Sequence, residues 1–230
     1  MGSYIYIYIK TINMKFTGER IEKKQRKFEH RFADHLERYE FAKPFIKEKI
    51  VLDVACGTGY GTHILSQVAK DISGLDVDPQ TVKVAKEKYH APNLHYFLGD
   101  GKKLPFEDNQ FDTVISFETI EHIVEYEQFL KEIKRVLKGD GTLIISTPNF
   151  LGEIVKNTYH VSNFTFKDFV DTIKNHFNIN EILYQGKHFY PIPGRGLLEA
   201  FLGIKKDVKI YNQKPSFEHH VTIIKATNKK

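Results

Sequence analysis

The sequence lacks the features that mark a disulfide-stabilised or membrane-spanning protein. It contains a single cysteine among 230 residues, so no intramolecular disulfide can form. This excludes the disulfide-stapled secreted class and favours a reducing compartment, so we predict a cytoplasmic location. No run of about 18 apolar residues is present, so no membrane-spanning helix is expected. No basic region or cleavage site accompanies the alternating segment Tyr4–Ile9, and we expect no signal peptide.

Charge is nearly balanced, with a small basic excess. The chain has 34 lysines and arginines against 29 aspartates and glutamates, which gives a net charge of +5. The basic residues are scattered, and their densest group, Lys23 to Lys27, is typical of a solvated helix face. A positive balance permits an anionic partner without establishing one. We expect no nucleic-acid partner.

The length predicts one large domain, or one domain with an appendage, and not two full domains. Residues 1–14 are predicted to be a flexible extension, because their alternating tyrosines and isoleucines are unlike the rest of the chain. Residues 15–230 are predicted to form a single domain, comprising a helical cap (15–45), a core (46–185), an insertion or lid (186–220), and the last strand with the tail (221–230). A connection as long as this insertion is usually functional.

The core alternates short apolar runs with helical segments. Asp78 followed by Pro79 favours a helix start, because the carboxylate caps the helix and proline fits its first position. Continuous apolar strands separated by helices are typical of a parallel sheet covered on both faces, so we predict an α/β fold. Strands are predicted at 50–55, 72–77, 94–98, 111–117, 142–147, 179–185 and 221–227, and helices at 60–70, 79–89, 126–138 and from Thr165 onwards.

The stretch VLDVACGTGYGT, residues 51–62, carries the most functional information. A strand ending in Asp53 leads into a turn with Gly57 and Gly59, where the backbone must bend sharply and approach a ligand. Such a turn after the first strand is where open α/β sheets bind nucleotides. It is not the dinucleotide fingerprint, because Ala55 occupies the position of its first glycine, and it is not a P-loop. Asp53 beside the loop favours a cationic ligand.

Acidic residues also follow the next two strands. Asp76 ends the second strand, where a carboxylate can accept hydrogen bonds from both ribose hydroxyls. Gly99-Asp100-Gly101 follows the third strand, and an acid there can receive an adenine amino group. The fourth strand ends at Phe117 and leads directly into the segment from Glu118 to His122.

This ordered set of motifs resembles the class I S-adenosylmethionine-dependent methyltransferases, over about residues 30–185. The resemblance implies S-adenosylmethionine as cofactor, S-adenosylhomocysteine as product, and a Rossmann-like seven-stranded sheet in the order 3-2-1-4-5-7-6 with an antiparallel last strand. It places Asp53 and Gly57 at the methionine moiety, Asp76 at the ribose, Asp100 at the adenine edge and Phe117 near the sulfonium. The predicted cofactor-binding residues are Tyr39, Asp53, Ala55, Gly57, Gly59, Asp76, Val77, Gly99, Asp100, Gly101 and Phe117.

Shorter motifs are similar to a subgroup often associated with sugar and surface-glycan modification. They include Phe16 to Arg20, Arg38 to Ala42, Ser146 to Asn149, and Tyr159 to Val161. This similarity favours a sugar, sugar nucleotide or glycan acceptor, with a lipid-like, quinone or secondary-metabolite acceptor as the alternative. A nucleic-acid-modifying protein is a third reading that only the basic charge supports. We expect a monomer or a homodimer.

Transfer to a hydroxyl oxygen needs a group that removes the proton. His122 is the first candidate, because it follows the fourth strand at the ligand end of the sheet, and His160 is the second, in the loop after the fifth strand. Histidines in these places could instead only pack against the backbone. A metal site formed by Glu118, Glu121 and His122 is a further alternative, if an early helix puts them on one face. That spacing resembles the Glu-x-x-Glu-His of a ubiquinone-pathway O-methyltransferase; we predict no metal.

Overall fold

A computed structural model of the chain describes residues 26–149, 160–186 and 219–229. Helices and strands alternate along these ranges, and a 3₁₀ turn, Ile120–His122, follows the fourth strand. The helices are α1 (Arg26–Ile46), α2 (Tyr60–Ser66), α3 (Pro79–Lys88), α4 (Tyr126–Val136) and α5 (Phe166–His176). The strands are β1 (Ile50–Val54), β2 (Asp71–Asp76), β3 (Leu94–Leu98), β4 (Phe111–Phe117), β5 (Leu137–Pro148), β6 (Phe177–Gly186) and β7 (His219–Asn228).

The chain divides into two compact units, Met1–Arg38 and Tyr39–Lys230. The described part of the first unit is the beginning of α1. The second unit holds the end of α1 and every described strand. The helix predicted within the N-terminal cap is therefore present from Arg26 onwards, whereas the extension and most of the insertion lie outside the described residues. The domain boundaries and the lid stay predictions.

The strands form one seven-stranded sheet in the order β3-β2-β1-β4-β5-β7-β6. β1 to β5 run parallel, and β7 is antiparallel to both β5 and β6. This confirms the predicted strand order and the predicted antiparallel last strand. Because parallel strands end at one edge of a sheet, the loops after β1, β2, β3 and β4 share that edge. The acidic and glycine motifs of the sequence all lie there.

The centre of the sheet is buried on both faces. Consecutive residues of the central strands, Val51 and Leu52 in β1 and Val114 and Ile115 in β4, have no exposed surface. Successive side chains of a strand point to opposite faces, so both faces are covered, as the continuous apolar runs predict. One core cluster joins side chains of β1, β4, β5 and β7 to apolar residues of α4 and α5, among them Phe129, Ile133, Phe169 and Ile173.

Helix starts agree closely with the sequence prediction. Asp78 accepts a hydrogen bond from the Gln80 amide at 3.0 Å, and Pro79 is the first residue of α3. Thr165 caps α5 by accepting from the Asp168 amide at 3.2 Å. Each cap satisfies an amide that the helix itself cannot pair, which fixes where the helix begins.

The boundary between α4 and β5 differs from the prediction. The sequence predicts a helix to residue 138 that is ended by Gly139–Gly141, but α4 ends at Val136 and β5 already begins at Leu137. Leu137 pairs with Phe111 of β4, and the Asn228 side-chain amide donates to the Leu137 and Lys138 carbonyls at 3.2 and 3.1 Å. Partners distant in sequence therefore end this helix before the glycines do.

No helix among the described residues combines the length and the apolar character needed to cross a membrane.

Candidate active site

The loop between β1 and α2 has the backbone geometry that its glycines predict. Gly57 and Gly59 take left-handed conformations with φ of 57° and 82°, which glycine adopts without steric cost. A Cβ at Gly57 would meet no atom within 4 Å, so there is open space beside this residue. Exposed Ala55 also has a positive φ, 59°, a strained conformation for a residue with a side chain. Strain of this kind is typical of ligand-binding loops.

The Asp76 carboxylate organises the loops after β1 and β2. Its Oδ2 accepts from the Gly57 amide and its Oδ1 from the Asp78 amide, both at 2.9 Å. The backbone carbonyl of Asp76 accepts from the Gly99 amide at 3.0 Å, which ties in the loop after β3. The structure thus brings the glycine loop, Asp76 and Gly99 together. Each carboxylate oxygen retains acceptor capacity beyond its one amide partner.

Asp53 is a buried carboxylate at the end of β1, with 1% of its surface exposed. Thr62 and Tyr39 hydrogen-bond to it, and Thr62 Oγ1 donates to Oδ2 at 2.7 Å. Oδ1 is buried and has no hydrogen-bond partner among the described residues. Burial raises the pKa of Asp53 to about 7, although the two hydrogen bonds oppose this and the nearby Asp76 adds to it. A cation bound beside it would favour its charged form.

Tyr39 closes one side of this region. Its ring packs edge-on against Tyr60 and Phe117, with centroid distances of 5.8 and 5.2 Å. Gly61 lies under the ring, and a Cβ there would overlap it. Phe117 is itself buried, at 6% exposure. The predicted site residues Tyr39, Asp53 and Phe117 are therefore in one cluster at the ligand end of β1 and β4.

Two supporting residues escaped the sequence prediction. Thr62 hydrogen-bonds to Asp53 from the first turn of α2, and the Tyr96 hydroxyl donates to the Gly59 carbonyl at 2.8 Å. Thr62 is the last residue of the glycine-rich stretch 51–62, so its place in the first turn of α2 was the signal that could have identified it. Tyr96 looks like any aromatic residue of a half-buried strand, and no pattern in the sequence distinguishes it.

The loop after β3 carries the predicted adenine contacts. Val77, directly after β2, and Leu98, the last residue of β3, have 67% and 55% of their surface exposed. Exposed apolar side chains here suit the face of a planar base. Asp100 is exposed, and its Oδ1 accepts from the Lys102 amide at 2.9 Å. A Cβ at Gly101 would lie 2.9 Å from the Phe129 ring, so this glycine permits close packing below the loop. The adenine role of Asp100 stays a prediction.

The two histidine candidates lie together. The rings of His122 and His160 are 5.0 Å apart, centroid to centroid, at an angle of 72°. The Val161 and Ser162 amides both donate to the Glu121 carbonyl at 3.0 Å, which fixes these two residues against the turn after β4. His122 and His160 therefore reach the same edge of the sheet as the glycine loop.

The structure does not bring together the three residues of the alternative metal site, Glu118, Glu121 and His122, as the sequence spacing predicts. The 3₁₀ turn begins only at Ile120, and Glu118 precedes it with a left-handed φ of 49°. The helix does not begin early enough to place Glu118 with the other two residues. The group that can share an ion among the described residues is instead Glu121, His122 and His160.

The residues at this edge fit S-adenosylmethionine. A cationic sulfonium and ammonium suit buried Asp53 and its Oδ1. Ribose hydroxyls suit the remaining lone pairs of Asp76, and the space beside Gly57 lets a ligand approach the loop. A groove of about 1090 Å³ lies elsewhere on the described surface; its lining includes Asp71 and His95 but none of the predicted cofactor-binding residues.

Comparison with known proteins agrees with this geometry. Residues 52–145 match a family model described as a methyltransferase domain. A Mycobacterium tuberculosis protein named as a probable S-adenosylmethionine-dependent methyltransferase is 33% identical over 118 residues, which are 51% of this chain and 42% of that protein. A Mycobacterium ulcerans phthiotriol/phenolphthiotriol dimycocerosates methyltransferase is 34% identical over 117 residues, 50% of this chain and 40% of that protein. The chain thus spans less than half the length of these curated relatives.

A solved structure shows the same fold at lower sequence identity. The methyltransferase solved in complex with the Trm112 activator of Haloferax volcanii superposes with a TM-score of 0.67. It shares 18% identity, and the match covers 88% of this chain and 92% of that one. The strand order, the strand-end loops and the matching domain all agree. Residues 52–145 are therefore similar to a methyltransferase domain, and the sheet around them has the strand order that the resemblance to class I S-adenosylmethionine-dependent methyltransferases predicts.

Proposed function

We propose that this protein transfers a methyl group from S-adenosylmethionine to a hydroxyl oxygen of a small-molecule acceptor. The observation that carries the proposal is the junction at Asp76, whose carboxylate accepts from the Gly57 amide while buried Asp53 lies on the neighbouring strand. Two acids beside an open glycine turn suit a ligand with both a positive charge and ribose hydroxyls.

The binding residues have separate tasks in this proposal. Asp53 holds the cationic part of the cofactor, and Thr62 fixes the orientation of that carboxylate. Asp76 holds the ribose and at the same time keeps the Gly57 loop in shape. Tyr39 and Phe117 cover the region with aromatic surface and exclude water from it.

The chemistry that the cofactor supplies is an electrophilic methyl group on a sulfonium. In the displacement, an acceptor oxygen forms the new bond to the methyl carbon, the carbon–sulfur bond breaks, and the acceptor proton must leave. We propose that His122 receives this proton and that His160, in contact with its ring, orients the acceptor. Positioning contributes the rest of the acceleration.

Two acceptor classes compete. The short motifs similar to glycan-modifying proteins favour a sugar, sugar nucleotide or glycan. The relatives named phthiotriol/phenolphthiotriol dimycocerosates methyltransferases favour a lipid-like alcohol instead. Both classes present a hydroxyl, so the proposed oxygen chemistry is common to them.

Calorimetry with S-adenosylmethionine and S-adenosylhomocysteine tests the cofactor step. Asp76→Asn should weaken binding about 10- to 150-fold, because hydrogen bonds to a charged group are worth about 1.5–3 kcal/mol. Asp71→Asn is the matched control, since this exposed acid lies at the opposite end of the same strand. Equal loss in both variants, or no binding by the unaltered protein, would refute the proposal.

Transfer of labelled methyl to sugar nucleotides in one series, and to long-chain diols and phenolic lipids in another, distinguishes the two acceptor classes. With an active acceptor, His122→Ala should lower kcat by about 10²–10⁴-fold, the usual loss when a general base is removed. Cofactor affinity should stay unchanged in this variant. Full turnover by His122→Ala together with an inactive His160→Ala would reverse the two roles.

A further inference from the structure

We propose that Glu121, His122 and His160 form a binding site for a divalent first-row transition-metal cation. Each residue offers one ligand atom, and these atoms all lie within 4.8 Å of one another. His122 Nε2 is 3.8 Å from Glu121 Oε1. The residues come from two loops, after β4 and after β5, that the fold brings to one edge of the sheet.

The backbone that carries these side chains is held in place. Two consecutive amides, Val161 and Ser162, donate to the Glu121 carbonyl at 3.0 Å, and Ser162 Oγ donates to the Ile123 carbonyl at 3.3 Å. On the other side, the His122 amide closes the 3₁₀ turn by donating to the Thr119 carbonyl at 2.9 Å. The two residues that directly follow His160 are therefore fixed to the turn bearing the other two residues.

The carboxylate also has an orienting partner. Glu121 has only 2% of its surface exposed, and Thr147 Oγ1 donates to its Oε2 at 3.1 Å. This leaves Oε1 as the oxygen that faces His122. A hydrogen bond that orients a ligating carboxylate is the usual second layer of a metal site. A glutamate buried this deeply beside two imidazoles gains from a cation that neutralises its charge.

The donor types select the class of cation. Two imidazoles and one carboxylate suit Zn²⁺, Co²⁺, Fe²⁺ or Mn²⁺, whereas Mg²⁺ and Ca²⁺ prefer sites made of oxygen alone. Metal–nitrogen and metal–oxygen bonds are about 2.0–2.2 Å long, so the ligand atoms must approach one another by roughly an ångström. Side-chain rotation can supply this while the backbone keeps its hydrogen bonds.

Three protein ligands leave coordination positions for other groups. A cation here would polarise a hydroxyl oxygen of the acceptor and lower its pKa. Because a ligating imidazole nitrogen cannot also accept a proton, the proposed base role of His122 would then belong to the cation-free protein alone. The site itself does not rest on the proposed methyl transfer, because cation binding can be measured without cofactor or acceptor.

The test is a titration of the tag-free full chain, dialysed against EDTA, with Co²⁺ followed by visible absorption and with Zn²⁺ followed by calorimetry. We expect one cation per chain and the d–d bands of a nitrogen- and oxygen-ligated Co²⁺. His122→Ala and His160→Ala should each weaken binding by more than about tenfold. Mutation of a residue that only hydrogen-bonds to a metal ligand already costs about tenfold in affinity, and loss of a ligand should cost more. Thr147→Val should weaken binding less.

His95→Ala is the matched control. His95 is also exposed and lies 3.1 Å from a carboxylate, that of Asp71, but among the described residues it belongs to no group of three side chains that could share an ion. This variant should bind the cation like the unaltered protein. Thermal melts check that each variant is folded, and His160→Gln replaces His160→Ala if the latter is not. No stoichiometric binding, or equal loss in the His95 and His160 variants, would overturn the proposal.

Discussion

At the scale of single residues, Asp53 is a buried carboxylate although its negative charge disfavours burial. Its pKa rises from 3.8 to about 7 on folding, chiefly through burial. The folded protein therefore binds this proton more tightly than the unfolded chain does. As a result, the free energy of unfolding falls as pH rises from about 4 to 7, because the unfolded chain releases the proton first. Asp53→Asn avoids the buried charge.

We therefore expect Asp53→Asn to melt at a higher temperature than the unaltered protein at pH 8, without ligand. The difference should shrink as pH falls below about 4, where the Asp53 carboxyl of the unaltered protein is protonated in both the folded and the unfolded state. Thermal melts across this pH range measure it. A lower melting temperature of the variant at pH 8 would show that the charged carboxylate stabilises the empty protein.

Asp53 should also make cofactor affinity depend on pH. A cationic ligand favours the ionised carboxylate, so binding must displace a proton below pH 7 and should weaken there by up to about tenfold per pH unit. Calorimetry in buffers with different ionisation enthalpies would detect the released proton. Asp53→Asn should bind more weakly at pH 8 and lose this slope; the same slope in the variant would assign it to another group.

The sequence predicts a site residue when its place next to a recognisable motif is enough to identify it. The places of Asp53 and Asp76 beside the glycine loop were predictable, because an acid at the end of a buried strand and next to glycines stands out in the sequence. Their roles in cofactor binding stay predictions. Tyr96 was not, since its hydroxyl meets the Gly59 carbonyl only through the pairing of β2 with β3. The raised pKa of Asp53 was equally hidden, because it depends on what packs around the carboxylate.

At the scale of elements, the contact of α1 with α2 depends on a glycine. Tyr39 is 5% exposed and fills the space that a Cβ at Gly61 would need. Gly61→Ala should destabilise the protein by about 1–3 kcal/mol through overpacking, although alanine is the better helix former. In a Tyr39→Ala background the same change should be neutral or stabilising. Denaturant unfolding of the unaltered protein, the two single variants and the double variant gives the coupling free energy between Tyr39 and Gly61.

Gly57→Ala is the control for this cycle. Gly57 has open space around it but a φ of 57°, so its substitution costs only backbone strain, about 1–2 kcal/mol. Removing Tyr39 should leave that cost unchanged. If Tyr39→Ala relieves both glycine variants equally, the interpretation of Gly61 as a contact glycine is wrong.

Elements were predicted better at their starts than at their ends. Asp78 and Thr165 predict where α3 and α5 begin, because a helix cap is a local interaction between residues close in sequence. The end of α4 depends on Asn228, which lies on β7 and more than 90 residues away from Leu137 in sequence. The 3₁₀ turn at Ile120 was likewise not signalled, so the metal alternative was assigned Glu118 where the fold supplies His160.

At the scale of the whole molecule, strand order came from the family resemblance rather than from the apolar pattern. Hydrophobic runs predict how many strands are buried but not which strands pair. The placement of β7 between β5 and β6 is a long-range choice that such runs leave open. The resemblance supplied it, and with it the expectation that Asp53, Asp76, Asp100 and Phe117 lie at the ends of the first four strands.

The predicted cofactor-binding residues of the sheet lie at the ends of β1 to β4, and none lies on β7. This difference leads to a last prediction. Ile224 has no exposed surface and pairs in register with Ile145 of β5 and Ile182 of β6. Ile224→Ala should cost about 2–5 kcal/mol of stability, because it leaves a cavity in the core. Its affinity for S-adenosylmethionine should stay unchanged well below the melting temperature, since no predicted cofactor-binding residue lies on β7.

Thr227→Ala is the matched control on the same strand, since Thr227 is only partly buried and its hydroxyl makes a long contact of 3.5 Å with the Asn178 carbonyl. It should change stability by less than about 1 kcal/mol. Denaturant unfolding and calorimetry on both variants separate stability from binding. A marked loss of cofactor affinity in folded Ile224→Ala would mean that packing at β7 sets the geometry of the loops after β1 and β2, because a core that close-packs as one body can transmit the strain of a cavity across the sheet.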